Sequence, residues 1–264
     1  MKLKNALIVY TKPMSNEEKT SLSLVKKTLN ERGIRYKKRR REKLREKFFK
    51  NRDLIIAVGG DGTFLMASHG VFSKVPILGV NSNFSNKEGF FMRSSKKDFE
   101  KKLDRIIKNE YKIKKLHRLE AHIGEKIIPE LALNEYYIAS EKPYHTARYY
   151  LTIRGRRERQ KSSGVLVSTA AGSYAWLKSA GGKELPLDSD SFQYIIREPY
   201  CGRTAAKGRL FNHILKKNEK LVIEFELGNG VIIADSTATE HRFKPGEKIT
   251  INLSKRPLHV ISFD

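Results

Sequence analysis

The run Leu54-Ile55-Ile56-Ala57-Val58 is apolar at five consecutive positions and breaks into Gly59-Gly60-Asp61-Gly62-Thr63. An apolar run bounded by glycine predicts a strand covered on both faces. Phe64, Leu65, Ala67 and Val71 follow as the buried face of a helix. Upstream, Ala6 to Tyr10 reads as a strand and Ser15-Asn16-Glu17-Glu18 as a capping box. Leu22, Val25 and Leu29 then recur at helical spacing, with Gly33 as the helix stop, and Ile34 to Tyr36 predicts a short second strand. Downstream, Pro76 to Asn81 predicts another strand, Ser82 to Glu88 a polar loop closed by Gly89-Phe90-Phe91, and Phe99, Leu103, Ile106 and Ile107 an amphipathic helix. The β-α-β-α-β-loop-α order over residues 1–110 predicts an α/β domain with a parallel sheet and helices on its faces.

Beyond residue 110 the texture changes to short alternating segments. They are Tyr111–Leu119, Ala121–Ile123, Ala132–Ala139, Arg148–Ile153, Gly164–Thr169, Leu221–Phe225, Val231–Ala234 and Ile249–Leu253. Turns such as Gly228-Asn229-Gly230 and Pro245-Gly246-Glu247 separate them, and one helix is expected near Ser173–Ala180. This predicts a β-rich second domain over 111–253. No internal repeat or low-complexity linker marks the boundary, which rests on periodicity.

Charge changes this picture in one respect. The 264 residues carry 53 Lys and Arg against 29 Asp and Glu, a formal net charge of +24. Such a field suits polyanionic substrates or partners, or a solvated basic surface. The densest block, Lys37 to Lys50, has nine Lys/Arg against two Glu and reads as an exposed, poorly packed helix or loop. It lacks the interleaved aromatics that stack bases, which argues against nucleic acid. A single cysteine, Cys201, excludes an internal disulfide and a multi-Cys zinc site, and fits a reducing compartment. No apolar run approaches the ~20 residues of a membrane span. With no leader segment in view before the first strand, the expected location is the cytoplasm.

Four stretches carry chemistry. Glycines around Asp61 let a ligand approach the backbone closely at a helix N-terminus, a geometry that suits phosphate oxygens. As a dinucleotide fingerprint the stretch fails, because Leu65 stands at the third glycine position, and no P-loop occurs in the chain. A structural β-α turn is the competing reading. The second stretch, Leu131 to Glu135, ends in Asn134-Glu135. Neighbouring strand residues face opposite ways, so both meet one ligand only where the strand bends or ends. There Asn can offer a donor and an acceptor to an adenine edge and Glu can accept from ribose hydroxyls, but taken alone the dipeptide favours a plain hairpin turn. The third, Ser162 to Trp176, is a strand running into a small-residue loop, Ser168-Thr169-Ala170-Ala171-Gly172-Ser173-Tyr174-Ala175-Trp176, whose aromatics could stack on a base or fill the core. The fourth is a strand ending in an acid, Ile232-Ile233-Ala234-Asp235.

Together and in this order, the stretches resemble the NAD kinase family, ATP-dependent enzymes that phosphorylate NAD to NADP. The resemblance spans roughly residues 50 to 260 and rests on Gly59–Thr63, Gly79–Phe91, Asn134-Glu135, Ser168–Trp176 and Ala234-Asp235. The GGDGT turn alone is shared with lipid kinases and phosphofructokinases; the later motifs select NAD kinase. Several positions depart from the common pattern. The Asn81–Gly89 loop is long, Tyr174 and Trp176 replace a threonine and a tyrosine, Ser163 replaces an aspartate, and Ser236 replaces a glycine. These features are more similar to the divergent branch that includes mitochondrial and plant NAD kinases.

The resemblance implies a Rossmann-like first domain completed by about residues 254–264, a β-rich NAD-binding domain, an active site between them, and homo-oligomers, usually dimers or tetramers. It implies ATP as donor, with Mg²⁺ or another divalent metal and no dedicated protein metal ligands. Gly59, Gly60, Gly62 and Thr63 would hold the ATP phosphates, and Asp61 would orient or deprotonate the ribose 2′-hydroxyl. Asp61, Gly62, Asn134, Glu135, Ser173, Tyr174, Ala175 and Trp176 would contact NAD. The alternatives are a GGDGT-type kinase of a lipid or nucleoside hydroxyl and a basic nucleic-acid-binding protein.

Overall fold

The computed structural model describes residues 3–142, 144–202 and 210–263. The chain divides into two compact units, Met1–Lys115 with Leu258–Asp264, and Leu116–Pro257. Among the described residues no helix is long and apolar enough to cross a membrane.

The first unit begins β1 (Asn5–Tyr10), α1 (Asn16–Glu31), β2 (Arg35–Arg40), β3 (Leu54–Gly59), α2 (Asp61–His69), β4 (Ile77–Asn81), β5 (Met92–Ser95), α3 (Phe99–Ile107) and β6 (Lys112–Leu116). Strands β2, β1, β3 and β4 pair in that order, all parallel. The chain runs outward from β1 to β2, then returns to the other side of β1 for β3. The reversal places a topological switch point at the carboxyl ends of β1 and β3, where open α/β sheets bind ligands. Val25 and Leu29 of α1 and Phe99, Leu103 and Ile106 of α3 share one core with Ala6, Ile8, Leu54, Ile56 and Val58. Ser15 caps α1 by accepting the Glu18 N–H at 3.2 Å. Phe64, Ala67 and Val71 are buried as expected, while Leu65 is only half-buried.

Several elements differ from the sequence expectation. The second strand runs on to Arg40, because it pairs with β1 over six residues and, as the edge strand, leaves its charged side chains in water. The basic block therefore begins as a strand and continues in 3-10 turns at Arg41–Lys43 and Glu46–Phe48 rather than as a helix. The segment expected as one strand from Tyr111 is split, and β6 belongs to the first sheet.

The second unit holds β7 (Leu119–Ile123), β8 (Lys126–Ile127), β9 (Glu135–Ser140), β10 (Ala147–Ile153), β11 (Arg156–Ser162), β12 (Gly164–Ser168), α4 (Trp176–Ser179), β13 (Ser191–Arg197), β14 (Asn212–Lys216), β15 (Leu221–Leu227), β16 (Gly230–Ala234), β17 (Glu240–Phe243) and β18 (Lys248–Leu253). They form two antiparallel sheets, β11-β10-β15-β18-β7-β8 and β14-β13-β12-β9-β16-β17. Alternating residues of both sheets, among them Tyr136, Tyr149, Phe192, Ile223 and Ile251, close one shared core. The helix expected at 173–180 is broken, because Ala175 leaves helical geometry (φ −104, ψ −130) between a 3-10 turn and the single turn of α4. The chain then returns to the first sheet as β19 (Leu258–Ser262), between β4 and β6.

One glycine ties the first sheet to its loop. A Cβ on Gly79 of β4 would lie 2.7 Å from the Phe91 carbonyl oxygen and 2.8 Å from Met92 Sδ. Neither neighbour is the yielding tip of a long side chain alone, so overpacking follows. Gly79→Ala is expected to destabilise the protein by about 1–3 kcal/mol in urea unfolding. An unchanged midpoint would show that the 89–92 backbone yields freely.

Candidate active site

The GGDGT turn sits at the carboxyl end of β3 and opens α2. Gly59 is still a strand residue, and a Cβ there would collide with the buried side chain of Thr63. These two expected phosphate ligands thus serve first as a packing pair that sets the turn. The N–H groups of Thr63 and Phe64 both bond to the Gly60 carbonyl, at 2.9 and 3.2 Å. The N–H groups of Asp61 and Gly62 find no acceptor among the described residues, as the first turn of a helix leaves them. They form a corner of backbone donors with the helix dipole behind it, a geometry that suits an anion.

Asp61 does not point out of this corner unengaged. Its Oδ2 accepts the N–H groups of Gly89 and Phe90 at 3.1 and 3.0 Å, and its Oδ1 that of Phe91 at 2.9 Å. Three consecutive backbone donors fix the carboxylate and tie the long loop after β4 to the turn. Phe91 stacks flat on Phe64, with centroids 5.0 Å apart, which holds the same contact from the apolar side.

Two cations that the sequence reading did not select flank the corner. The stem of Lys87 lies against Gly60, where a Cβ would be 3.0 Å from its Cδ. Its Nζ bonds to Glu18 Oε1 at 2.5 Å and to Ser82 Oγ at 3.0 Å. The Lys87 bond, together with the Met14 N–H, holds the Glu18 carboxyl below its ordinary range. On the other side Arg41 Nη1 would be 3.2 Å from a Cβ on Gly62. Neither cation stands beside the turn in sequence; only the parallel sheet and the folded loop bring them there.

In the second unit the remaining motifs converge on Asp235. This residue follows β16 with φ +50, and Ser236 with φ +52. Its Oδ1 accepts the N–H groups of Asn134 at 2.7 Å and Glu135 at 3.1 Å, and its Oδ2 that of Leu133 at 2.9 Å. The backbone at Asn134 and Glu135 is thus held by an acid a hundred residues away. The small-residue loop joins the same knot. Thr169 Oγ1 donates to the Leu133 carbonyl at 2.6 Å, while the Thr169 N–H and Ser168 Oγ donate to that of Asn134 at 2.9 and 3.1 Å. A Cβ on Gly172 would collide with the Asn134 carbonyl, which requires glycine there.

Two atoms of this knot stay orphaned. Asn134 Oδ1 and Glu135 Oε2 are buried without a hydrogen-bond partner. Leaving buried acceptors unmatched is costly, so both are ready-made contacts for donors of a ligand. Burial first, and the Asp235 charge second, push the Glu135 carboxyl up to about 8. Beneath them Arg118 is fully buried and donates Nε and Nη2 to the Arg256 carbonyl at 3.0 and 2.7 Å. Burial lowers its guanidinium to about 10, against the pull of Asp235.

The expected loop contacts divide. Ser173 is completely buried, donating to the Ala170 carbonyl at 2.7 Å and accepting the Leu185 N–H at 2.9 Å, so its hydroxyl shapes the loop. Tyr174 is exposed and Ala175 half-buried. Trp176 packs beside Tyr137 at 5.0 Å, with the Arg197 guanidinium 5.1 Å from the indole and 5.6 Å from the phenol ring.

Known proteins fit this architecture. The ATP-NAD kinase N-terminal domain matches residues 3–111, and the ATP-NAD kinase C-terminal domain matches residues 133–263. A probable NADH kinase of Oryza sativa subsp. japonica is 30% identical over 230 residues, covering 79% of this chain and 70% of that protein. The crystal structure of an NAD kinase from Archaeoglobus fulgidus in complex with ATP superposes with a TM-score of 0.77 at 23% identity, covering 98% of this chain and 93% of that one. Yeast NADH kinase complexed with NADH gives a TM-score of 0.82 at 18% identity, covering 98% and 83%. With both family domains matched along nearly its whole length, the chain belongs to the ATP-NAD kinase family of phosphotransferases.

Proposed function

We propose that this protein transfers the γ-phosphoryl group of ATP to the 2′-hydroxyl of the adenosine ribose of NAD or NADH. The observation that carries the reading is the pair of buried, unmatched acceptors Asn134 Oδ1 and Glu135 Oε2. They suit a ligand with an amine edge and neighbouring hydroxyls. A lipid substrate would ask for an apolar wall instead. The family relatives named for NADH leave the redox form of the substrate as the first thing to assay.

In the proposed reaction the ATP phosphates rest on the Asp61 and Gly62 N–H groups, with Arg41 and Lys87 at either side. Among the described residues no three His, Cys, Asp or Glu side chains converge as metal ligands. A divalent cation therefore fits as the counter-ion of the phosphate oxygens, which it would help to neutralise as charge develops. Asp61 uses three of the roughly four lone-pair sites of a carboxylate on backbone donors, which leaves room for one hydroxyl proton. The 2′-oxygen attacks the γ-phosphorus as its proton passes to Asp61, the bond to the β-phosphate bridging oxygen breaks, and ADP leaves. The fixed carboxylate contributes orientation as much as basicity.

Three measurements test this. Asp61→Asn is expected to retain NAD binding and lower kcat by about 10²–10³-fold in a steady-state assay crossing NAD and NADH with ATP. Near-normal turnover would remove the assigned role. Lys87→Met keeps the stem over Gly60 but removes the charge, and should raise the KM for ATP about tenfold while leaving that for NAD unchanged. Equal changes in both would assign Lys87 to loop structure. Glu135 predicts the pH dependence. Its carboxyl titrates near 8 when folded against 4.5 ordinarily, so folding takes up a proton between those values. Its contribution to stability is complete below about 4.5 and is lost as pH rises toward 8. Thermal unfolding from pH 5 to 8 should therefore show a smaller decline in Tm for Glu135→Gln than for the native chain. Parallel curves would contradict the assignment.

A further inference from the structure

The basic block serves the phosphate corner with only one residue, Arg41. Part of the remaining charge gathers at the opposite edge of the same sheet. There Arg35 and Lys37 of β2, with Lys47, Lys50 and Arg52 of the segment leading into β3, line an open concavity of ≈ 880 Å³ together with Asn5. Asn5 opens β1, Arg35 opens β2, and Arg52 stands just before β3. These are the amino ends of parallel strands, whereas the GGDGT turn lies at their carboxyl ends. A six-residue strand, roughly 17–20 Å, separates the two.

Among the described residues no carboxylate lines the concavity. Lys50 pairs with Glu46 at 3.2 Å on the outside. Asp53 is not in the lining; its Oδ2 accepts the Lys4 and Asn5 N–H groups at 2.8 Å each. Arg52 is built in: Nη1 donates to Asn5 Oδ1 at 2.6 Å and Nε to the Phe48 carbonyl at 2.9 Å, and Asn5 Nδ2 donates to the Asn51 carbonyl at 2.9 Å. Asn51 holds the left-handed conformation (φ +57) that turns this wall. Burial and the nearby Arg39 charge both lower the Arg52 guanidinium, the mark of a cation held without an opposing acid. Five cations line one concavity, and their summed field would attract a polyanion.

We propose that this concavity is a second binding site, for a compact, multiply phosphorylated small molecule, separate from the phosphate corner. A nucleic-acid strand fits less well. Among the described residues the only aromatic ring in the lining is Tyr36, which packs against the core, and the neighbouring Phe48 face is covered by Arg39 at 4.4 Å. The site accounts for part of the +24 charge that capture of the kinase substrates leaves over.

The test is calorimetric titration of inorganic tripolyphosphate into the full chain, the R35S/K37S/K47S variant and the R41S/K87M variant. Because the first three residues lie far from the turn, kinase turnover should be unchanged in R35S/K37S/K47S. Tripolyphosphate binding should weaken about tenfold or more in that variant and persist as one site in R41S/K87M, with affinity falling steeply between 50 and 200 mM salt. Should the triple variant fail to fold, K47E, on an exposed turn outside the sheet, is expected to weaken binding at least about threefold. Unchanged affinity in R35S/K37S/K47S or K47E overturns the site. Loss of all binding in R41S/K87M overturns it by placing the anion at the turn. Tighter binding of a 20-nucleotide single strand at the same residues overturns the ligand class.

Discussion

A carboxylate gathering three consecutive backbone N–H groups is the interaction on which both functional clusters depend. Asp61 does this with residues 89–91 and Asp235 with residues 133–135. Three successive amides cannot all point one way within a regular strand, where donors alternate between neighbours. Each acid therefore stabilises a stretch of irregular backbone that would otherwise bury unmatched donors. Hydrogen bonds to a charged acceptor are worth roughly 1.5–3 kcal/mol each, enough to hold irregular backbone in place. In the first unit the device pulls the Asn81–Phe91 loop over the glycine turn. In the second it holds the backbone at the entry to β9, where Asn134 and Glu135 sit.

The small residues follow from these two anchors. Gly79 admits the Phe91 carbonyl, Gly59 admits the Thr63 side chain, and Gly172 admits the Asn134 carbonyl. Each of these glycines acts by allowing a close approach inside the protein. Only Gly60 and Gly62 lie open at the turn, with Lys87 and Arg41 over them. A motif that reads as a uniform phosphate-binding string thus has two glycines open at the turn and one that serves packing.

The first sheet was legible wherever burial imposed a pattern. Strand β3, the turn and α2 follow from an apolar run, a glycine break and a helical stripe. Strand β2 was not legible past Tyr36, because an edge strand with Lys and Arg at every position from 37 to 40 carries no hydrophobic period. Asn134-Glu135 and the Ser168–Trp176 loop could be picked out by residue type. Their convergence could not, because it is made by Asp235, whose only local sign is an acid at a strand end. Ser173 shows the reverse: a motif position whose hydroxyl is consumed inside its own loop. Arg41 and Lys87 have no sequence signal, since each reaches the turn from a separate connection at the carboxyl edge of the sheet.

That edge also explains how one basic segment can divide its charge. A parallel strand delivers its two ends to opposite sides of the sheet, so β2 places Arg35 at the amino edge and hands Arg41 to the carboxyl edge. The segment after Arg41 must then travel back across the sheet to start β3, and it carries Lys47, Lys50 and Arg52 to the amino edge. Parallel topology alone therefore separates the charge into two fields. The field at the carboxyl edge faces backbone donors and a helix N-terminus, where it adds to a fixed dipole. The field at the amino edge faces Asn5 and the start of β1, where no dipole of that sign assists it. There it is concentrated only by the walls of the concavity.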